Sequence, residues 1–190
     1  MRYRAGHKAG TRRRIVEATA WALRARGLAG VGVADLMREA GLTHGGFYSH
    51  FDSKDTLVAE AVGLAGEESA RNLHRIIDRA GRRSAWADIV AAYLSPAHRD
   101  RPDRGCALAA LGPELARESA GARRAIAAQL ETLLDLLAEH VPARRGTSRR
   151  REAMVRLAGL VGALILSRIA GDRALSDAIL ASARHRLSTP

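Results

Sequence analysis

Ala40-Gly41-Leu42-Thr43-His44-Gly45-Gly46-Phe47-Tyr48-Ser49-His50-Phe51-Asp52-Ser53-Lys54-Asp55-Thr56-Leu57 decides the reading of this chain. Gly41 supplies a turn, Leu42 is apolar, and Thr43 is a good N-cap for a short helix running to about His50. Phe47, Tyr48 and Phe51 place three of the chain's five Phe and Tyr residues within five positions. Of these, Phe47 and Phe51 are expected in a core. Asp52-Ser53 then caps a long helix predicted from about Lys54 to near Arg79. Upstream, Gly30-Val31-Gly32 breaks the chain. It precedes a second helix, Val33 to Ala40, with Leu36 and Ala40 facing inward. A first helix is predicted from Thr11, its cap, to Arg26, ended by Gly27, with Ile15, Ala18, Ala22 and Leu23 on one face. Two short helices joined at Gly41 and braced by a third make a helix-turn-helix pattern.

Positive charge gathers on the same segment. The 190-residue chain has a net charge of +11, and residues 1–54 hold ten Lys/Arg against four Asp/Glu. Residues 1–14 carry Arg2, Arg4, Lys8, Arg12, Arg13 and Arg14 and no acid. That balance points to a polyanionic partner, nucleic acid before membrane. A membrane span needs roughly 20 apolar residues. The longest uncharged apolar run, Leu157–Leu166, has ten, so no membrane role is expected. The polar, basic start predicts no signal peptide. A single cysteine, Cys106, excludes an internal disulfide framework and a multi-thiolate zinc site. The predicted compartment is the cytoplasm.

The stretches Arg14-Ile15-Val16-Glu17-Ala18, Gly27-Leu28 and Ala40 to Leu57, with an aromatic pair followed by F-x-S-K-x-x-L, resemble the N-terminal domain of the TetR family. These are bacterial one-component transcriptional regulators. Two positions depart from the family pattern: Gly32 stands where a Ser or Thr usually caps the second helix, and Met37 replaces a small residue where helices 2 and 3 pack. The resemblance implies DNA-facing roles for Thr43, His44, Gly45, Gly46, Tyr48, Ser49, His50 and Lys54. The residue chemistry fits. Thr43, His44, Ser49 and His50 offer hydrogen bonds to phosphates or base edges. Gly45 and Gly46 each cost a helix about 1 kcal/mol relative to alanine, a cost explained if backbone approaches DNA closely. Tyr48 is expected to send its ring to the core and its hydroxyl to a phosphate, and Lys54 sits at an anion-favouring helix start.

Downstream the chain reads as all helix. A helix is predicted over Ser84 to Leu94, ended by Pro96, followed by a polar loop at Arg99–Arg104. Next come a short apolar helix at Gly105 to Leu111, interrupted by Gly112-Pro113, and an amphipathic helix at Ala122 to His140. Pro142–Arg151, with five arginines, reads as a solvated linker. Met154–Ile169 is apolar nearly all round, with Gly159 and Gly162 three apart, and the last helix is predicted over Asp172 to Leu187. A helix apolar on every face must be buried on every face, so a homodimer is expected. The overall expectation is an all-α chain: residues 1–53 a helix-turn-helix DNA-binding domain, residues 54–190 a helical ligand-binding and dimerisation domain.

The seven histidines, His7, His44, His50, His74, His98, His140 and His185, form no metal-ligand spacing, and no nucleophile elbow, phosphate loop or dinucleotide fingerprint is present. No cofactor or metal is expected. The sequence therefore favours a repressor released from a palindromic double-stranded DNA operator by a small-molecule inducer, apolar or electrophilic. A general DNA-packaging protein and a small helical enzyme remain the alternatives. Candidate walls of a ligand pocket are Trp86, Tyr93, Cys106, Leu108, Leu111, Leu133, Leu137 and Leu164. Gly-Cys segments occur at the Cys106 position in similar regulators, some of which answer electrophiles or oxidants. A helix start and nearby arginines would favour its thiolate.

Overall fold

The computed structural model describes residues 2–80, 85–142 and 146–189, with side chains from residue 7 onward. Among these residues every regular element is helical. Helix α1 spans Arg2–Arg26, α2 spans Val33–Glu39, and a tight 3-10 helix follows at His44–Ser49. The long α3 spans Lys54–Ala80, then come α4 (Ala85–Tyr93), α5 (Pro96–Arg99) and a 3-10 turn at Pro102–Arg104. The remaining helices are α6 (Ala107–Leu115), α7 (Ala120–His140), α8 (Arg149–Ile169) and α9 (Arg173–Ser188).

Four expectations are corrected. Thr11 does not cap α1; it lies buried inside a helix that begins at Arg2. Gly10 fails to break that helix because one glycine costs only about 1 kcal/mol. Pro96 does not merely end a helix. It opens α5, where Ser95 Oγ accepts the His98 N–H at 3.1 Å, and Arg99 is buried rather than in a polar loop. Helix α6 runs straight through Gly112-Pro113 to Leu115. The proline lacks the N–H that would reach Ala109, but Leu111 and Leu115 on either side are buried and hold the turn in place. In the supposed linker, residues 143–145 lie outside the described residues. Ser148 caps α8, so Arg149, Arg150 and Arg151 are helical. Arg150 pairs with Glu131 and Asp135 of α7, and Arg149 donates to the carbonyls at the α7 end.

Two apolar cores organise the chain. The first joins α1, α2, the 3-10 helix and the first half of α3 through Ile15, Leu23, Leu36, Phe47, Phe51, Leu57 and Val62. Leu111 and Leu115 of α6 and Ala122 of α7 complete it. The second joins α4, α7, α8 and α9 to the far half of α3 through Trp86, Ile89, Leu94, Leu133, Leu137, Leu157, Leu160, Leu164 and Leu180. Fully burying each such side chain is worth about 1.5–3 kcal/mol. Helix α3 is the shared strut between the cores.

Polar contacts stitch the seam. Gly27 takes φ +78°, as the end of α1 requires. The next amide, Leu28 N–H, donates to the Glu114 carboxylate of α6 at 2.6 Å. Trp21 Nε1 of α1 donates to Asp103 Oδ2 at 3.0 Å, and Arg24 pairs with Glu68 of α3 at 2.6 Å.

Candidate nucleic-acid interface and ligand chamber

The 3-10 helix His44–Ser49 is held from beneath. Phe47 is buried and stacks on Phe51 with centroids 5.8 Å apart, as expected for core aromatics. Thr43 stands at the N-cap with extended backbone, though its hydroxyl makes no capping bond. Thr43, His44, Gly45, Tyr48 and Ser49 are exposed, and Gly46 and His50 are half-buried. All seven residues therefore share one accessible element. The expectation for the Tyr48 ring is corrected: it is 71% exposed and touches the core only edge-on to Phe47. Phe47 and Phe51 already fill the space beneath it.

The glycines have separate physical settings. A Cβ at Gly45 would meet nothing within 4 Å, so packing within the chain does not require glycine there. A Cβ at Gly46 would sit 3.7 Å from Met37 Cε. That is ordinary van der Waals contact, so Met37, buried in α2, does not require glycine at position 46. Gly32 opens α2 in extended conformation, with its N–H facing Asp35 Oδ2 at 3.4 Å.

Lys54 opens α3, where Ser53 Oγ accepts the Thr56 N–H. Its Nζ donates to the Val31 carbonyl at 2.8 Å, which ties α3 to the loop before α2. Arg12, not singled out by sequence reasoning, proves central to the same region. Its guanidinium lies 4.1 Å from the Phe51 ring centroid, Nη1 donates to the His50 carbonyl at 3.1 Å, and Nη2 pairs with Glu60. The His50 ring has a pKa lowered from 6.5, by burial first and then by the charges of Lys8, Arg12 and His7. No acidic residue lies within the recognition element itself.

The second site is a chamber in the C-terminal core, about 200 Å³ in volume. Its walls come from α3 (Ser69, Asn72, Leu73, Ile76), α4 (Ile89, Ala92, Tyr93), α7 (Leu133, Leu137) and α8 (Leu157, Leu160). His98, Arg104, Gly105 and Cys106 close one end. Of the predicted walls, Tyr93, Cys106, Leu133 and Leu137 line it. Trp86, Leu108, Leu111 and Leu164 do not. Trp86 is buried and gives its indole N–H to the Leu187 carbonyl at 2.7 Å. Leu111 belongs to the other core, Leu164 is buried within the second, and Leu108 packs at its margin. Among the described residues no carboxylate lines the chamber, so its chemistry suits an apolar, uncharged molecule better than a cation.

The closed end is the polar part. His98 has its Nδ1 against the Tyr93 carbonyl at 2.7 Å and its Nε2 accepting the Cys106 N–H at 3.1 Å. Those bonds specify the neutral ring, and burial lowers its pKa from 6.5. The Tyr93 ring stands edge-on to His98, and its hydroxyl is buried without a hydrogen-bond partner. Burial and the adjacent Cys106 push the Tyr93 pKa up. Arg168 reaches from α8 to the carbonyls of His98 and Arg99. Cys106 is buried and stands at the N-cap of α6. His98 and Asn72 escaped sequence reasoning because neither belongs to a motif; only the fold brings them to the chamber.

Among the described residues no helix is long and apolar enough to cross a membrane, and no group of three metal-ligating side chains comes together. An exposed helix-turn-helix head built onto an all-helical body defines a DNA-binding transcriptional regulator. Residues 15–61, the helix-turn-helix head and the start of α3, match the model of the family described as bacterial regulatory proteins, tetR family. Its fold is similar to that of a TetR-family transcriptional regulator from Cytophaga hutchinsonii, at 21% identity, 96% of this chain, 95% of that one and a TM-score of 0.77. It is similar too to a TetR transcriptional regulator from Chloroflexus aurantiacus, at 21% identity, 100% and 98% coverage and a TM-score of 0.76. The reduced form of E. coli NemR gives 20% identity, 95% and 98% coverage and a TM-score of 0.76. No curated protein sequence matches the chain.

Proposed function

We propose that the protein is a homodimeric, ligand-relieved repressor of a palindromic operator. Residues 43–50 enter the major groove, with half-sites about one helical turn or a multiple apart. Thr43, His44, Ser49 and His50 address bases and phosphates, Gly45 and Gly46 allow close backbone approach, and Tyr48 offers its exposed hydroxyl. Lys54 supplies its remaining N–H groups to a phosphate while holding Val31.

The observation carrying the dimer is the outer face of the last two long helices. Met154, Val155, Leu166 and Ile169 of α8 and Leu175 of α9 are exposed, Ile169 by 71%. A Cβ at Gly162 would meet open space, whereas one at Gly159 would press on Leu187 of the same chain at 3.3 Å. Gly159 therefore serves the internal α8–α9 contact, and Gly162 leaves room for a second copy. Packing this face on its twin covers a large apolar surface.

The chamber is the inducer site. A ligand there shifts the spacing of the two heads only if it binds the released form better than the DNA-bound one. An electrophile would meet Cys106 in the same chamber. Fragments of the genome retained by the purified protein, once sequenced, should share one palindrome. A mainly apolar compound library should contain members that raise the melting temperature and weaken operator binding. Uniform retention of all fragments would instead mark a general DNA-packaging protein. Operator release by a mild electrophile that persists equally in Cys106→Ser would leave that thiol as packing.

A further inference from the structure

Helix α1 is longer than the head needs. Residues 7–10 are exposed, and a Cβ at Gly10 would meet nothing within 4 Å, so this turn is not seated on the core. Burial begins only at Thr11 and Ile15. The projecting part is rich in cations and has no acid before Glu17. Farther along the same helix Arg12 pairs with Glu60 and Arg13 with Glu17, while the exposed Arg14 has no ion pair among the described residues. Among the described residues no ion pair involves Lys8.

Its direction is fixed by Arg12. That guanidinium rests on Phe51 and bonds the His50 carbonyl, at the C-terminal end of the recognition element. Lys8 lies four residues earlier, on the same face and about 6 Å farther along the axis. Lys8 and His7 are near enough to His50 to disfavour its protonation, and His50 Nδ1 is left without a partner. The projecting turn of α1 therefore runs outward past the end of the recognition helix. With that helix in a major groove about 12 Å wide, the next thing met at its end is the sugar-phosphate wall.

We infer that the N-terminal turns of α1 form a second DNA-contacting element, in which Lys8 and His7 grip backbone phosphates flanking the base-reading helix. The inference rests on the DNA-binding assignment and adds a contact outside the helix-turn-helix. The contact is blind to sequence. Phosphates supply the neutralisation that the chain itself withholds.

The test uses the full-length protein and a labelled duplex of about 30 base pairs of arbitrary sequence, titrated between about 50 and 200 mM salt. Lys8→Gln should weaken binding several-fold and lower the slope of log K against log salt by about 0.9. Lys8→Arg should keep the wild-type slope. Arg186→Gln, an equal change of net charge at the exposed end of α9, should leave it unaltered. Lys8 is exposed, so unchanged thermal melts are expected and a lost contact is not confused with lost fold. Equal slopes for Lys8→Gln and wild type, or equal losses in Lys8→Gln and Arg186→Gln, overturn the inference while leaving DNA binding intact. A wild type that fails to bind the duplex overturns the DNA-binding assignment itself.

Discussion

The two cores are built from similar residues and behave as different materials. The head core, from Ile15 to Val62 with Leu111, Leu115 and Ala122, is tightly filled: Phe47, Phe51, Ile15, Leu23 and Leu36 are all at most 2% exposed. The body core surrounds a chamber and holds buried polar groups: the His98 ring, the Tyr93 hydroxyl, Arg99 and Arg156. Unpaired buried polar atoms occur in both halves, at Thr19 of α1 and at Gln129 against Gly66 of α3, so the cavity is what separates the two cores. A filled apolar core has one low-energy arrangement. A core with a cavity has contacts to gain by rearranging around a guest. The head is built to keep its shape, and the body to change.

The contrast can be broken most strongly by truncation. Phe47→Ala should cost about 3–5 kcal/mol, because no neighbouring void can relax around the hole. Leu160→Ala, on the chamber wall, should fall near 2 kcal/mol, since it enlarges a space that already exists. Chemical denaturation of both variants measures the difference, and equal costs would show that the body is as closely packed as the head.

At the seam, Trp21→Phe removes the donor to Asp103. It should cost about 1–2 kcal/mol, as expected for a half-exposed hydrogen bond to a carboxylate. If Trp21 carries motion between halves, this variant should also loosen the link between inducer and operator binding. Unchanged stability would mean the bond is not maintained in solution.

The cores also differ in their response to acid. His98 is buried and hydrogen-bonded as the neutral ring, so its pKa in the fold lies below 6.5, the value in the unfolded chain. The unfolded state then binds more protons, and stability falls as pH drops below about 6.5. Asp103 acts in the same sense over a lower pH window. Arg101 beside it, helped by Trp21, holds its carboxyl down to about 2, so its contribution is present above 3.8 and is lost between 3.8 and 2. Thermal melts should show a first decline between pH 7 and 5 and a second below pH 4. His98→Gln should flatten the first limb alone. A profile level from pH 7 to 5 would contradict this account. The smallest effect is expected at the surface of α1, where Glu17→Gln breaks a pair with the 81%-exposed Arg13 side chain and should alter stability by no more than about 0.5 kcal/mol.

The same division decides what could be read from the sequence. The head was legible because its determinants are local: a turn glycine, a cap at Thr43, and aromatics spaced to fill one core. Helix α1 was read too short because Thr11 is a good cap by residue type, and only the fold places it in the interior. The chamber was half legible. Tyr93, Cys106, Leu133 and Leu137 are where an apolar pocket was sought. Trp86, Leu111 and Leu164 have the same character but face other neighbours. Apolarity marks a residue as buried without saying which cavity it meets, and His98 shows the converse, a polar residue recruited by contacts from α4 and the α6 start. Tyr48 was misplaced because an aromatic in a motif looks like a core residue until Phe47 and Phe51 are found to occupy the core.

The chain contains two tryptophans, and the fold has stationed them as a matched pair of optical gauges. Trp21 straddles the seam, 45% exposed, with its indole N–H fastened to the loop that leads to the chamber. Trp86 is sealed beneath α9, 1% exposed and fastened to the Leu187 carbonyl. A shift of head against body changes the surroundings of the first indole, whereas the second sits in the core that holds the chamber and reports on that core. The emission of the unlabelled protein thus carries one signal from the seam and one from the body, and the arrival of an inducer can be followed without attaching anything to the molecule.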